Sequence, residues 1–99
     1  IMNDTALTRE KVERYLAITD EALSIAKIAV PENSLAYRTA QNFLEMINAY
    51  RKDAGHFLEK GDLVRAFGCI NYAHGWLDAG ARLGLFHHDN DDRLFTLAD

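Results

Sequence analysis

Residues Glu59 to Phe86 read EKGDLVRAFGCINYAHGWLDAGARLGLF, and this stretch decides the fold. Lys60-Gly61-Asp62 marks one helix ending and the next beginning, because glycine accepts the left-handed conformation at a helix end and aspartate caps the amides that follow. Counting about 100° per residue from Leu63, Phe67, Ile70, His74, Leu77, Ala81 and Leu85 fall within about 40° of one line, flanked by Ala66 and Ala73. That is the expected core face. Roughly opposite, between about 140° and 240°, Cys69, Tyr72, Trp76, Ala79, Leu83 and Phe86 form a second apolar seam, with Gly68 and Gly75 beside it. A helix apolar on both sides needs burial on both, so this seam calls for a cover from elsewhere in the chain or from another molecule. Gly68, Gly75 and Gly80 each cost about 1 kcal/mol relative to alanine inside a helix, and the expectation is that they let another backbone come close.

Working back toward the N-terminus, Ala36, Ala40, Phe43, Ile47, Tyr50, Ala54 and Phe57 repeat at alternating three and four, with Ser34 as the cap. Arg38, Gln41, Asn42, Glu45, Asn48, Lys52 and Glu59 fall mainly on the other, solvated side. Further back, Thr8 caps a run in which Val12, Tyr15, Leu16, Thr19, Ala22, Leu23, Ala26 and Val30 share a stripe that ends before Pro31. Ile18, Ile25 and Ile28 lie off that stripe. Beyond Phe86 the segment HHDNDDR is polar and LFTL is apolar, which reads as a flexible connector with a short sticky end. That end is expected to fold over the second seam of helix three or over a neighbouring chain. No strand alternation or internal repeat stands out. The expectation is a single all-α domain over 1–99, a three-helix up-down-up bundle with helices at about 9–29, 34–60 and 63–83 and a short C-terminal tail over 87–99.

Composition sets the bounds. With 48% hydrophobic residues, 26% charged residues and a single proline, the 99 residues suit one mostly helical globular unit. The formal charge of −4 makes nucleic acid an unlikely partner, since phosphate binding draws on a basic field. No apolar run is long enough for a membrane span, and the opening residues carry no secretory pattern. The lone Cys69 has no partner for an internal disulfide, so the cytoplasm is the expected compartment.

Several residues carry possible chemistry. His74, Asp78 and Arg82 are four apart in turn, so they can form a polar ladder at the edge of the core, with His74 as an acid-base group, a ligand-binding group or simply a satisfied core histidine. Asp53 and His56, three apart near the turn into helix three, resemble one step of a di-iron bundle, but the further carboxylates such a centre needs are missing, so no metal and no cofactor is implied. His87-His88-Asp89 has metal-binding residue types on the tail. Cys69 has no histidine one turn away to activate it and reads as a small hydrophobe. Tyr72 and Trp76, with Leu83 beyond, suit a protein interface better than a stacked planar ligand. No phosphate loop, zinc spacing or nucleophile elbow is present, so no catalytic signature supports an enzyme.

The runs EKGDLVRAF and INYAHGWLDAGARLGLF, with VERYL at Val12–Leu16 and FLEM at Phe43–Met46, resemble the small archaeal family catalogued as domain of unknown function 357. The resemblance spans roughly Val12 to Phe86. It implies a compact helical domain of an archaeal cytoplasm, and it implies no activity and no site residues. A looser likeness is to helical HEPN domains, whose RNA-cutting members carry an arginine and a histidine four to six residues apart; Arg82 and His87 meet that spacing, yet Leu83 replaces the usual polar residue and His87 lies beyond Gly84.

Two functional readings follow. In the first, the domain is a protein–protein interaction or self-association module, forming a homo-oligomer or docking on a protein partner through Cys69, Tyr72, Trp76, Leu83 and Phe86. In the second, the domain binds a small ligand or acts as a catalyst in a pocket between helices two and three that reaches His74, Asp78 and Arg82 with Asp53 and His56 nearby.

Overall fold

The computed structural model describes residues 5–97 and contains three helices: α1 (Arg9–Ile25), α2 (Leu35–Glu59) and α3 (Leu63–Arg82). Each starts on a side-chain cap. The Thr8 hydroxyl accepts from the Lys11 amide at 3.1 Å, Ser34 accepts from Tyr37 at 3.2 Å and Asp62 accepts from Arg65 at 3.1 Å. α2 and α3 end in the same way, on a glycine in the left-handed region. Gly61 (φ 77°) lets Asp62 N–H reach the Phe57 carbonyl at 2.9 Å, and Gly84 (φ 76°) lets Leu85 N–H reach that of Gly80 at 2.9 Å. A second bond at each end, Gly61 to Leu58 and Gly84 to Ala81, completes the Schellman arrangement.

α1 is shorter than its stripe suggests. It stops at Ile25, where Lys27 N–H turns back onto the Ile25 carbonyl, and the chain goes on without helix to Val30, with Ile28 in an isolated antiparallel bridge to Phe86. Ala29 N–H donates to the Leu85 carbonyl at 2.8 Å and His87 N–H to that of Lys27 at 2.9 Å. Pro31 disfavours helical geometry at Val30, and the β-branched Ile28 and Val30 accept the extended form readily.

α3 is the central element, packed on both α2 and α1, whereas α1 and α2 touch little. Its buried residues are Ala66, Ile70, Ala73, Leu77, Gly80 and Ala81, a single arc that on the count from Leu63 runs from about 260° round to 0°. One flank, with Phe67 and His74, faces α1; the other, with Trp76 and Cys69, faces α2. Small residues make up much of the buried faces of both helices, Ala40 and Ala54 on α2 and Ala66, Ala73, Gly80 and Ala81 on α3. An exposed link spans the gap between α1 and α2, where the Arg51 guanidinium donates to both carboxylate oxygens of Asp20 at 2.6 and 2.9 Å. That contact holds the guanidinium above the ordinary arginine range.

The C-terminal segment is part of the core. Leu94 and Phe95 are buried in one cluster with Ala22, Ala26, Leu77, Ala81, Leu85 and Phe86. It folds back as a sticky end should, but over the α1 side of α3 and not over the second seam. Ile70, 1% exposed, and Glu45 on the solvated side of α2 test these assignments. Ile70→Ala is expected to lower the unfolding free energy by about 2–5 kcal/mol and Glu45→Ala to change it by less than about 0.5 kcal/mol. Equal, small losses in urea melts would contradict the packing.

Candidate interaction face and polar clasp

The second seam of α3 is partly covered from within the chain. Trp76 is half-buried and meets Phe43 edge-on, with ring centroids 4.8 Å apart, while Tyr72 meets Tyr50 at 4.6 Å. Tyr72 and Trp76 lie 6.2 Å apart at nearly right angles. α2 therefore covers the inner edge of the seam and leaves the outer edge bare. Tyr72 remains 50% exposed and Leu83 66%. The two ring pairs set an antiparallel register that puts the start of α2 beside the end of α3, so Leu35, 81% exposed, lies at the same end as Leu83. On α2, Leu35 falls within about 60° of Tyr50, on the edge turned toward this face.

Between the rings runs an open groove of ≈ 290 Å³ lined by Phe43, Asn71, Tyr72, Gly75, Trp76 and Ala79. Gly68 and Gly75 border the bare strip, and a Cβ built on either would meet nothing within 4 Å. Close approach of another backbone therefore does not explain these two glycines inside the chain. At Gly80 it is a side chain and not a backbone that comes close: an added Cβ would collide with the Phe86 ring.

Phe86 does not belong to the exposed seam. It is 1% exposed. Continuing the helical count past Gly84 places it outward, but the left-handed glycine ends the helix and turns the ring inward beneath Gly80. Cys69 is half-buried on the flank facing α2; loss of water pushes its thiol up, and the nearby Asp53 carboxylate adds to the effect, so it stays protonated and weakly nucleophilic at neutral pH.

The polar ladder takes a different form from the expected one. His74 Nε2 lies 2.6 Å from the Leu94 carbonyl and Nδ1 2.9 Å from the Thr19 hydroxyl. A carbonyl only accepts, so Nε2–H donates to it, and in the neutral ring Nδ1 accepts from Thr19. Both nitrogens are thus engaged, tying α1, α3 and the C-terminal segment together. Asp78 lies 3.7 Å from Nε2 and accepts the Thr96 amide at 2.8 Å. Arg82 is exposed at the end of α3 and does not join them. Asp53 and His56 are both exposed on α2, and Asp53 acts on Cys69, on the flank of α3 away from His74. The cavity that reaches His74 is small, ≈ 160 Å³, and lies between α1 and α3, lined by Tyr15, Ile18, Thr19, Ile70 and Asn71, not between α2 and α3. Arg82 and His87 share no helix, since His87 belongs to the bridged extended segment. Among the described residues no three histidine, cysteine or acidic side chains converge as a metal site, and no helix is long and apolar enough to cross a membrane.

Reading the sequence missed Leu35, Phe43 and Tyr50 as contributors to the exposed face, and Thr19 and Leu94 as partners of His74. One signal was available: Phe43 and Tyr50 are seven apart on α2, a spacing that lets them meet two aromatic residues on an antiparallel neighbour. No curated protein and no solved structure matches the chain. A family model described as "Protein of unknown function (DUF357)" matches residues 14–86.

Proposed function

The chain belongs to the DUF357 family, and we propose that it is an interaction module that self-associates through the outer face of α3. What carries this reading is the pairing of exposed apolar side chains with uncovered helical glycines. Tyr72 and Leu83 stand in solvent on the same side of α3 as Gly68 and Gly75, whose cost to the helix no contact among the described residues offsets. In sequence Tyr72 lies between the two glycines, so two α3 helices crossing about a two-fold axis set the tyrosine of each against a glycine gap of the other. The reading assumes a cytoplasmic setting with Cys69 reduced. A catalytic or ligand-binding role for His74 has less support, because both ring nitrogens already serve the fold.

Sedimentation velocity tests this. Wild type should sediment as more than a monomer with rising concentration, and Tyr72→Glu, which places a charge on the face, should associate severalfold more weakly. Gly75→Ala gives a second reading: the monomer gains about 1 kcal/mol, since the methyl meets nothing, while association weakens. A wild type that stays monomeric throughout, or a Tyr72→Glu chain that associates equally, would overturn the proposal.

A further inference from the structure

The C-terminal segment that completes the core is joined to the body in an unusual way. From Asp91 to Leu97 it is held by four kinds of contact: burial of Leu94 and Phe95, the Leu94 carbonyl on His74, the Thr96 amide on Asp78, and an ion pair between Arg93 and Glu21 of α1. The connector before it has no such anchorage. After His87 N–H binds the Lys27 carbonyl, its bonds are internal to its own turn: Asn90 N–H to His88 Nδ1 at 3.0 Å and Asp91 N–H to the His88 carbonyl at 3.0 Å. The turn also holds two consecutive non-glycine residues in the left-handed region, Asp89 (φ 54°) and Asn90 (φ 57°). The family match stops at Phe86, where the connector begins.

We propose that residues 91–97 exchange between two copies of the chain, each segment filling the groove between α1 and α3 of the other. The occupant is a second copy because the groove is built for this segment: His74, Asp78 and Glu21 meet an identical carbonyl, amide and guanidinium whichever chain supplies them. Every contact that residues 91–97 make with α1 and α3 is remade in the exchanged dimer. Straightening the connector breaks its local turn bonds and the edge-on contact of His88 with Phe95, and releases Asp89 and Asn90 from the left-handed region, the condition under which short hinges favour swapping. The closed form prevails in dilute solution, where the tethered segment has the higher effective concentration, and exchange grows as protein concentration rises. None of this depends on the outer face of α3.

Cross-linking between singly labelled chains tests the exchange. With Cys69→Ser throughout, Glu21→Cys and Arg93→Cys put thiols at the two ends of an exposed ion pair, within reach of a short bismaleimide. The double variant should cross-link, showing that the reagent spans the pair. A concentrated mixture of the two single variants should then give a Glu21→Cys/Arg93→Cys product in clear excess over either same-variant product. Adding Asp89→Gly and Asn90→Gly, which removes the left-handed penalty and favours closure, should lower that product severalfold. Tyr72→Glu in both chains should leave it unchanged. An intrachain product from the double variant with no mixed product overturns the proposal, as does a mixed product that vanishes with Tyr72→Glu, because that product reports contact through α3.

Discussion

Phe95→Ala is expected to lower the unfolding free energy by about 3–5 kcal/mol, although the residue lies outside the family match and only a few positions from the end of the described chain. The ring is 2% exposed and shares a cluster with Leu77, Ala81 and Phe86, so its removal leaves a cavity at the junction of α1, α3 and the returning segment. The collapse that would fill it is opposed by the bonds that hold the backbone on either side, Leu94 on His74 and Thr96 on Asp78. Urea denaturation followed by helical signal measures the effect. A loss below about 1 kcal/mol would mean that the segment unfolds separately from the helices and adds little to the cooperative unit.

Phe86→Ala should be comparably costly, about 3–5 kcal/mol, and its neighbour gives a sharper contrast. Gly80→Ala puts a methyl where the Phe86 ring already sits, in a core with no room to yield, and is expected to destabilise by about 1–3 kcal/mol. The same substitution at Gly75, on the same helix but facing open space, is expected to stabilise the monomer. Opposite signs for one chemical change would separate a glycine kept for packing from one left uncovered on the surface. If both substitutions stabilise the protein, the Phe86 ring does not lie against α3.

These contrasts show what the sequence could convey. The caps at Thr8, Ser34 and Asp62 and the terminating Gly61 act over three or four residues, so their roles were readable without any tertiary structure. The end of α1 was not, because Ala26 to Val30 is short and apolar but for Lys27, and its alternation fits a helical stripe and a half-buried non-helical segment equally well. Phe86 was placed outward because a helical count was carried across Gly84, where the chain reverses. Leu94 and Phe95 had no periodicity to mark them as core, and their partners lie on helices far away in sequence. The polar groups were half legible: the step from His74 to Asp78 follows from helix geometry, while Thr19 and Leu94 come from distant parts of the chain. The second seam was real, but α2 took its inner edge, and the exposed remainder is narrower than the apolar count on α3 alone implied.

Trp76 is the single tryptophan of the chain and sits at the border between the covered and bare parts of that seam, so its emission reports directly on whether the outer face of α3 finds a cover. Exchange of the C-terminal segment takes place on the α1 side and leaves this environment unaltered. Emission spectra recorded across a concentration series should shift to shorter wavelength as the protein associates, and Tyr72→Glu should move that shift to severalfold higher concentration. A wild-type spectrum that does not change while the protein sediments as a monomer would contradict the account.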